Sequence, residues 1–271
     1  MITYELEGRV ALITGANNPQ GIGAATAIAF AEQRANVVLV YKKLPRPYDP
    51  AKTNKNGTDR YLQANAGNAD AVEARLKEMN AGYLIIESDI TSEEHVQEIY
   101  NQAIARFGKV DILVNNAADC DLDGLDTIEK ITPQVIDETF AVNVKGTILM
   151  TREMINRRGN YGRIINLSST SVRGNPGQCN YAATKAALTG FTATLAKESG
   201  RKNITVNCVA PGPTETEMYS KVPDEIKQAM IAGCPMNRLG QPREIGEVIA
   251  FLASERASFL SGQWIAVNGA K

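Results

Sequence analysis

The chain predicts an α/β domain, a parallel sheet carrying helices on both faces. Three observations lead there. Short runs rich in Val, Ile and Leu alternate with longer helix-like segments through nearly all 271 residues, the pattern of repeated strand–helix–strand units. Within each run the apolar positions are consecutive rather than alternate, as in strands buried on both faces. The first run passes through a glycine-rich turn into a helix, an arrangement suited to a dinucleotide pyrophosphate.

Composition sets the outer bounds. Hydrophobic residues make up 44% and charged residues 22%, with a net charge of −1, so neither nucleic acid nor a lipid surface is called for as partner. No apolar run approaches the ~20 residues needed to span a bilayer. The start, Met1 to Gly8, lacks the basic-then-apolar profile of a secretory leader. Cys120, Cys179, Cys208 and Cys234 form no Cys-x-x-Cys pair and read as buried or free thiols of a reducing cytoplasm. With no internal repeat and no linker, residues 1–271 read as one domain.

Taken in order, Arg9–Thr14 is the first strand. Thr14-Gly15-Ala-Asn17-Asn-Pro-Gln-Gly21-Ile22-Gly23 is the turn, and Ala24–Gln33 the helix. Asn36–Tyr41 is the second strand. At its end a carboxylate would accept the ribose hydroxyls of NAD, whereas the extra phosphate of NADP needs cations. Tyr41, Lys42 and Lys43 stand there, which favours NADP over NAD.

Residues 42–68 carry Pro45, Pro47, Pro50 and Gly57, with six cations against two anions and no apolar period. They read as a long inserted loop that either folds over the adenine end of the cofactor or packs in an oligomer contact. Asp70–Asn80 is a helix, and Tyr83–Ser88 a third strand that brings Asp89 and Ile90 to its end, near the adenine. Glu93–Phe107 is an amphipathic helix. Its His95, the sole histidine, lacks a second ligand and reads as a surface residue.

Val110–Val114 is the fourth strand, leading into Asn115-Asn116-Ala117-Ala118. The acidic run after it, from Asp119 through Asp121, Asp123 and Gly124, matches early positions of a calcium loop. The closing position is Lys130 instead of a bidentate Glu, and a strand rather than a helix precedes it. No metal site is assigned, and the run reads as an acidic rim to the cleft. Gln134–Asn156 is a long helix containing Asn143, a polar residue among apolar ones that needs partners.

Gly162–Ser169 is the fifth strand, delivering Ser168 and Ser169 to the strand end where ligands collect in open α/β sheets. A helix from about Tyr181 to Gly200 follows, then a sixth strand, Ile204–Val209. Pro211-Gly212-Pro213-Thr214-Glu215-Thr216 is a turn whose hydroxyls can reach the nicotinamide amide and a phosphate. Segment 213–235 reads as a substrate lid with a short helix over 222–232. A helix over Pro242–Ser254 and a seventh strand, Gln263–Val267, close the fold.

One helix holds the chemistry. In Tyr181-Ala-Ala-Thr-Lys185 the phenol and the ammonium lie four residues apart, on one helical face. A free phenol titrates near ~10, and a fixed cation beside it favours the phenolate. A serine hydroxyl nearby would hold a carbonyl oxygen while the tyrosine delivers its proton. Tyr48 and Lys52 share the spacing, but Pro47 and Pro50 break the helix that would align them.

Together these residues resemble the short-chain dehydrogenase/reductase family along nearly the whole chain. The resemblance rests on Thr14-Gly15 with Gly21-Ile22-Gly23, Asn115–Ala118, Asn143, Ser169, Tyr181-x-x-x-Lys185, Pro211-Gly212, and the tail from Arg238-Leu-Gly-Gln-Pro to Val267-Asn-Gly269. It implies a Rossmann-like, doubly wound seven-stranded sheet and a homotetramer. It also implies a tetrad of Asn143, Ser169, Tyr181 and Lys185, with Asn143 holding a water that links Lys185 to solvent. The cofactor set it implies is Gly15, Asn17, Gly21, Ile22, Tyr41, Lys42, Asp89, Ile90, Asn116, Ala117, Pro211, Gly212, Thr214 and Thr216, joined by Tyr181 and Lys185.

Two features depart from the family pattern. The glycine turn is two residues longer than usual, so Asn17–Gln20 is expected to bulge over the phosphates. The interval from Ser169 to Tyr181 is one residue short, and Ser168 would restore it. Strand register nonetheless favours Ser169. Within the family the wording is closest to bacterial β-ketoacyl-carrier-protein reductases. The expected activity is reduction of a ketone or ketoacyl thioester by NADPH. The alternatives are an NAD-dependent sugar, polyol or secondary-alcohol dehydrogenase, and a dinucleotide-sensing regulator without turnover.

Overall fold

The computed structural model describes residues 3–120, 127–157 and 159–271. Seven strands carry the fold: β1 (Val10–Thr14), β2 (Asn36–Tyr41), β3 (Tyr83–Glu87), β4 (Ile112–Asn115), β5 (Gly162–Leu167), β6 (Ile204–Pro211) and β7 (Trp264–Val267). They pair in parallel in the order β3-β2-β1-β4-β5-β6-β7. This is the doubly wound arrangement the sequence predicts.

Burial on both faces explains the unbroken apolar runs. Along β1, Ala11 and Ile13 face one core while Val10 and Leu12 face the other, and β2 alternates likewise through Val37 and Leu39 against Val38 and Val40. Helices α1 (Ile22–Glu32), α2 (Thr58–Ala66), α3 (Asp70–Glu78) and α4 (Glu93–Phe107) fall between the first four strands. Of these, α1 and α3 join the first core and α4 the second. Ser92 caps α4 by accepting from the His95 N–H, and His95 itself is exposed.

Helices α5 (Pro133–Phe140) and α6 (Thr147–Arg157) continue one another through a π-helical turn over Ala141–Gly146. The single long helix expected over 134–156 therefore carries an extra residue per turn at Asn143, a distortion that often marks a working site. After α7 (Cys179–Ser199) and β6 come α8 (Glu217–Ser220), α9 (Asp224–Ala232) and α10 (Pro242–Leu252). The last is opened by a capping box between Gln241 and Glu244.

Segment 42–68 departs from the expected bare loop. It holds a 3-10 turn at Pro50–Lys52 and the helix α2. Within α2 only Tyr61 and Leu62 are buried, adjacent residues that leave no periodic signal for a sequence reading. The acidic run loses its middle to the same limit: Asp121, Asp123 and Gly124 lie outside the described residues.

Candidate active site

At the switch point the chain leaves β1 for β2 on one side and later returns as β4 on the other. A cleft of about 1060 Å³ runs along the carboxyl ends of the strands there. Every residue expected to contact a cofactor, from Gly15 to Thr216, lines this cleft, as do Ser169, Tyr181 and Lys185. Asn143 does not.

The glycine turn closes against the end of β4. Gly15 has φ +68°, and a Cβ there would stand 2.7 Å from the Ala117 Cα. A Cβ on Gly23 would meet the Gly15 carbonyl oxygen and the Asn116 Nδ2, both at 2.6 Å. Only glycine allows this approach. Asn116 donates through Nδ2 to the Thr14 and Gly15 carbonyls, each at 2.9 Å. The Thr14 hydroxyl accepts from the N–H groups of Asn116 at 3.1 Å and Ala117 at 3.0 Å. Sequence reasoning missed this stapling role of Thr14. Helix α1 begins at Ile22 with no side-chain cap on its first N–H groups, so they face the cleft as donors for a pyrophosphate.

The lengthened turn reaches the insertion. Asn17 donates to the Gly67 carbonyl at 3.1 Å, and Gln20 accepts from Arg60 at 3.2 Å. The two irregularities of the sequence thus touch each other.

At the adenine end the expected cations are already paired. Lys42 lies 2.6 Å from Asp89 and Lys43 2.8 Å from Glu87. Although burial opposes it, hydrogen bonds from Lys42 and Thr91 hold the Asp89 carboxyl below its ordinary range. Arg46 lines the same cleft and has no ion-pair partner among the described residues.

At the other end, β5 and α7 bring four polar side chains together. Ser168 is 3% exposed and donates to the Lys185 carbonyl at 2.9 Å, so its hydroxyl pins α7. Ser169 instead lines the cleft together with Tyr181 and accepts from the Ser171 N–H at 3.1 Å. Lys185 lies with its Nζ 5.6 Å from the Tyr181 ring centre and donates to the Leu167 carbonyl at 2.7 Å. Burial pushes the phenol well up, with Ser169 acting the other way, and it pulls the ammonium down to about 8. In the free chain Tyr181 is therefore firmly a proton donor.

Asn143 sits behind this group, fully buried. Its Oδ1 accepts from the Asp119 N–H at 2.7 Å, and its Nδ2 donates to the Asp119 carbonyl at 2.8 Å and the Thr184 hydroxyl at 3.0 Å. It reaches Lys185 through the neighbouring Thr184, not through the amine. Thr184, Cys120, Arg60, Tyr61 and Glu217 also join the site without any spacing signal in the sequence.

Residues 54–269 match the family model described as enoyl-(acyl carrier protein) reductase. The chain is 35% identical over 269 residues to a 3-oxoacyl-(acyl-carrier-protein) reductase of Thermotoga maritima, covering 97% of this chain and 98% of that one. A solved mutant of a Serratia marcescens short-chain dehydrogenase/reductase superposes with a TM-score of 0.82 at 29% identity over 98% of both chains. A blue fluorescent protein from a metagenomic library, solved with NADPH, superposes at 0.81 with 28% identity over 98% of both chains.

Proposed function

The chain belongs to the short-chain dehydrogenase/reductase family and is an NAD(P)-dependent oxidoreductase; on that premise we propose that it reduces a ketone or 3-oxoacyl thioester with NADPH. The observation that carries this reading is the Tyr181 phenol with the Lys185 Nζ 5.6 Å from its ring centre, in a cleft that Ser169 and the glycine turn also line. When bound, NADPH would supply the hydride for the carbonyl carbon. Gly15, Gly21 and Ile22 cradle its pyrophosphate, while Pro211, Gly212, Thr214 and Thr216 border its nicotinamide end. Ser169 holds the carbonyl oxygen and Tyr181 protonates it, a task that suits a phenol kept neutral by burial. Lys185 holds the nicotinamide ribose and, when charged, biases the phenol toward giving up its proton. Asn143 positions α7 through Thr184.

The 35% identity to a 3-oxoacyl-(acyl-carrier-protein) reductase supports a thioester substrate. The neighbour solved with NADPH and the unpaired Arg46 support the phosphorylated cofactor. One observation favours a second reading, an NAD-dependent alcohol or polyol dehydrogenase: Asp89 and Glu87 already neutralise Lys42 and Lys43. A carbonyl panel that includes an acetoacetyl thioester, with NADPH and NADH consumption followed in parallel, decides between them. We expect kcat/KM to be higher with NADPH and highest with the thioester. No consumption across the panel defeats the reductase reading, and preference for NADH selects the second.

We also propose a homotetramer, supported by exposed apolar side chains at Ile136, Phe140 and Ile148 on α5 and α6, and at Phe259. A cytoplasmic setting is proposed from the four free cysteines. No helix among the described residues is long and apolar enough to cross a membrane.

A further inference from the structure

Helix α2 stands outside the sheet, yet its inner face belongs to the cleft. Tyr61 and Asn65 line it, and Tyr61 is 6% exposed. The helix is fastened to both banks. On the lid side, the Arg60 guanidinium grips Glu217 of α8 in a two-pronged pair, with Nε and Nη2 each 2.8 Å from a carboxylate oxygen. Glu217 is itself 7% exposed. On the opposite bank Arg60 donates to Gln20 and Gly67 accepts from Asn17, both in the lengthened glycine turn. A planar fork on a buried carboxylate fixes direction as well as distance, which a lysine would not do.

Tyr61 follows Arg60 and inherits this placement. The Lys221 ammonium, just past α8, stands 4.3 Å above its ring. Asn65, one turn further along the helix, and Cys120 line the cleft with Tyr61. Cys120 follows β4 and is buried in the same cleft as Tyr61 and Tyr181. The segment after β6 and residues 116–120 after β4 both line the cleft that holds Tyr181. Tyr61 meets the first through Lys221 and shares the cleft lining with the second through Cys120.

We infer that Tyr61, carried on the inserted helix and held by the Arg60–Glu217 pair, closes the substrate end of the cleft and limits the size of the carbonyl compound that reaches Tyr181. This deepens the reductase reading and rests on it. The ring, not the hydroxyl, occupies the space, so removing it opens room for apolar chain beside the reacting carbonyl. A pocket enlarged by several carbon atoms shifts preference between homologous substrates by roughly 10-fold or more.

The test compares two thioesters of N-acetylcysteamine, 3-oxobutanoyl and 3-oxooctanoyl, in the wild type and in Tyr61→Ala, Tyr61→Phe and Arg60→Met. NADPH binding is followed separately by the quenching of protein fluorescence. We expect Tyr61→Ala to raise the long-to-short ratio of kcat/KM about 10-fold, mainly through KM for the longer substrate. Tyr61→Phe keeps the wild-type ratio. Arg60→Met moves the ratio in the same direction by a smaller factor, because it frees the helix without removing the ring. A Tyr61→Ala protein that binds NADPH and turns over, yet holds the ratio within about twofold of wild type, overturns the inference alone. Equal loss on both substrates overturns it too, since that is what a merely structural role would give. A wild type that reduces neither thioester nor any ketone of the panel overturns the reductase reading and this inference with it.

Discussion

At the scale of single residues, two adjacent serines divide the work by direction. Ser168 donates to a helix carbonyl, while Ser169 accepts from the Ser171 N–H and lines the cleft with Tyr181, a difference set by the alternation of side chains at the end of a strand. Ser169→Ala removes a donor to the carbonyl oxygen, and we expect a loss of roughly 10²–10³ in kcat. Ser168→Ala is expected to cost a few-fold at most, with a small loss of stability. Steady-state rates on the two variants check this, and the reverse ranking would move the role to Ser168. Lys185 carries a cost for its position. Burial pulls its ammonium from 10.5 to about 8, so below that pH the folded state holds a charge it disfavours. Between about pH 8 and 10.5 the unfolded chain binds the extra proton, and this group's contribution to stability rises with pH. Lys185→Met should therefore stabilise the cofactor-free protein at pH 7 by up to about 3 kcal/mol while abolishing turnover. Thermal melts at pH 7 and pH 10 would show the gap between variant and wild type narrowing.

At the scale of elements, the π-turn between α5 and α6 is the piece that ties the site together. It turns Asn143 inward against Asp119, at the end of the β4 loop, and against Thr184 of α7. Asn143→Ala removes its three hydrogen bonds to the Asp119 backbone and the Thr184 hydroxyl, at a cost of about 2–3 kcal/mol. For a domain of this size that lowers Tm by roughly 4–10 °C. The fall in kcat at a temperature where the variant remains folded should exceed what the melt explains, because Thr184 adjoins Lys185. Calorimetry paired with rates on the folded protein tests both parts. The inserted helix is the other element with consequences beyond itself. Its nine residues bury little, and its place is set by ion pairing and by the lengthened glycine turn.

At the scale of the whole molecule, exposed apolar residues are the candidate contacts of the proposed homotetramer. Phe259 is 102% exposed, with Leu260 beside it at 37%. A fully solvated phenylalanine is unusual without a partner surface. Phe259→Asp should shift a tetramer toward smaller species in sedimentation velocity, without altering the melting of the isolated subunit. An unchanged sedimentation coefficient would remove this face from the assembly.

The order of strands and helices, the glycine turn and the Tyr181–Lys185 pair were legible in the sequence because each is local. Apolar runs, helical spacing and glycine steric freedom act within a few residues, so their effect is written where they occur. Only the tertiary structure decided that Lys42 and Lys43 are bound to Asp89 and Glu87, that the Ser168 hydroxyl is taken up by the Lys185 carbonyl, and that residues 58–66 form a helix across the cleft. Those outcomes depend on groups far apart in the chain, such as Arg60 and Glu217, whose attraction exists only once the sheet has brought them within hydrogen-bonding distance.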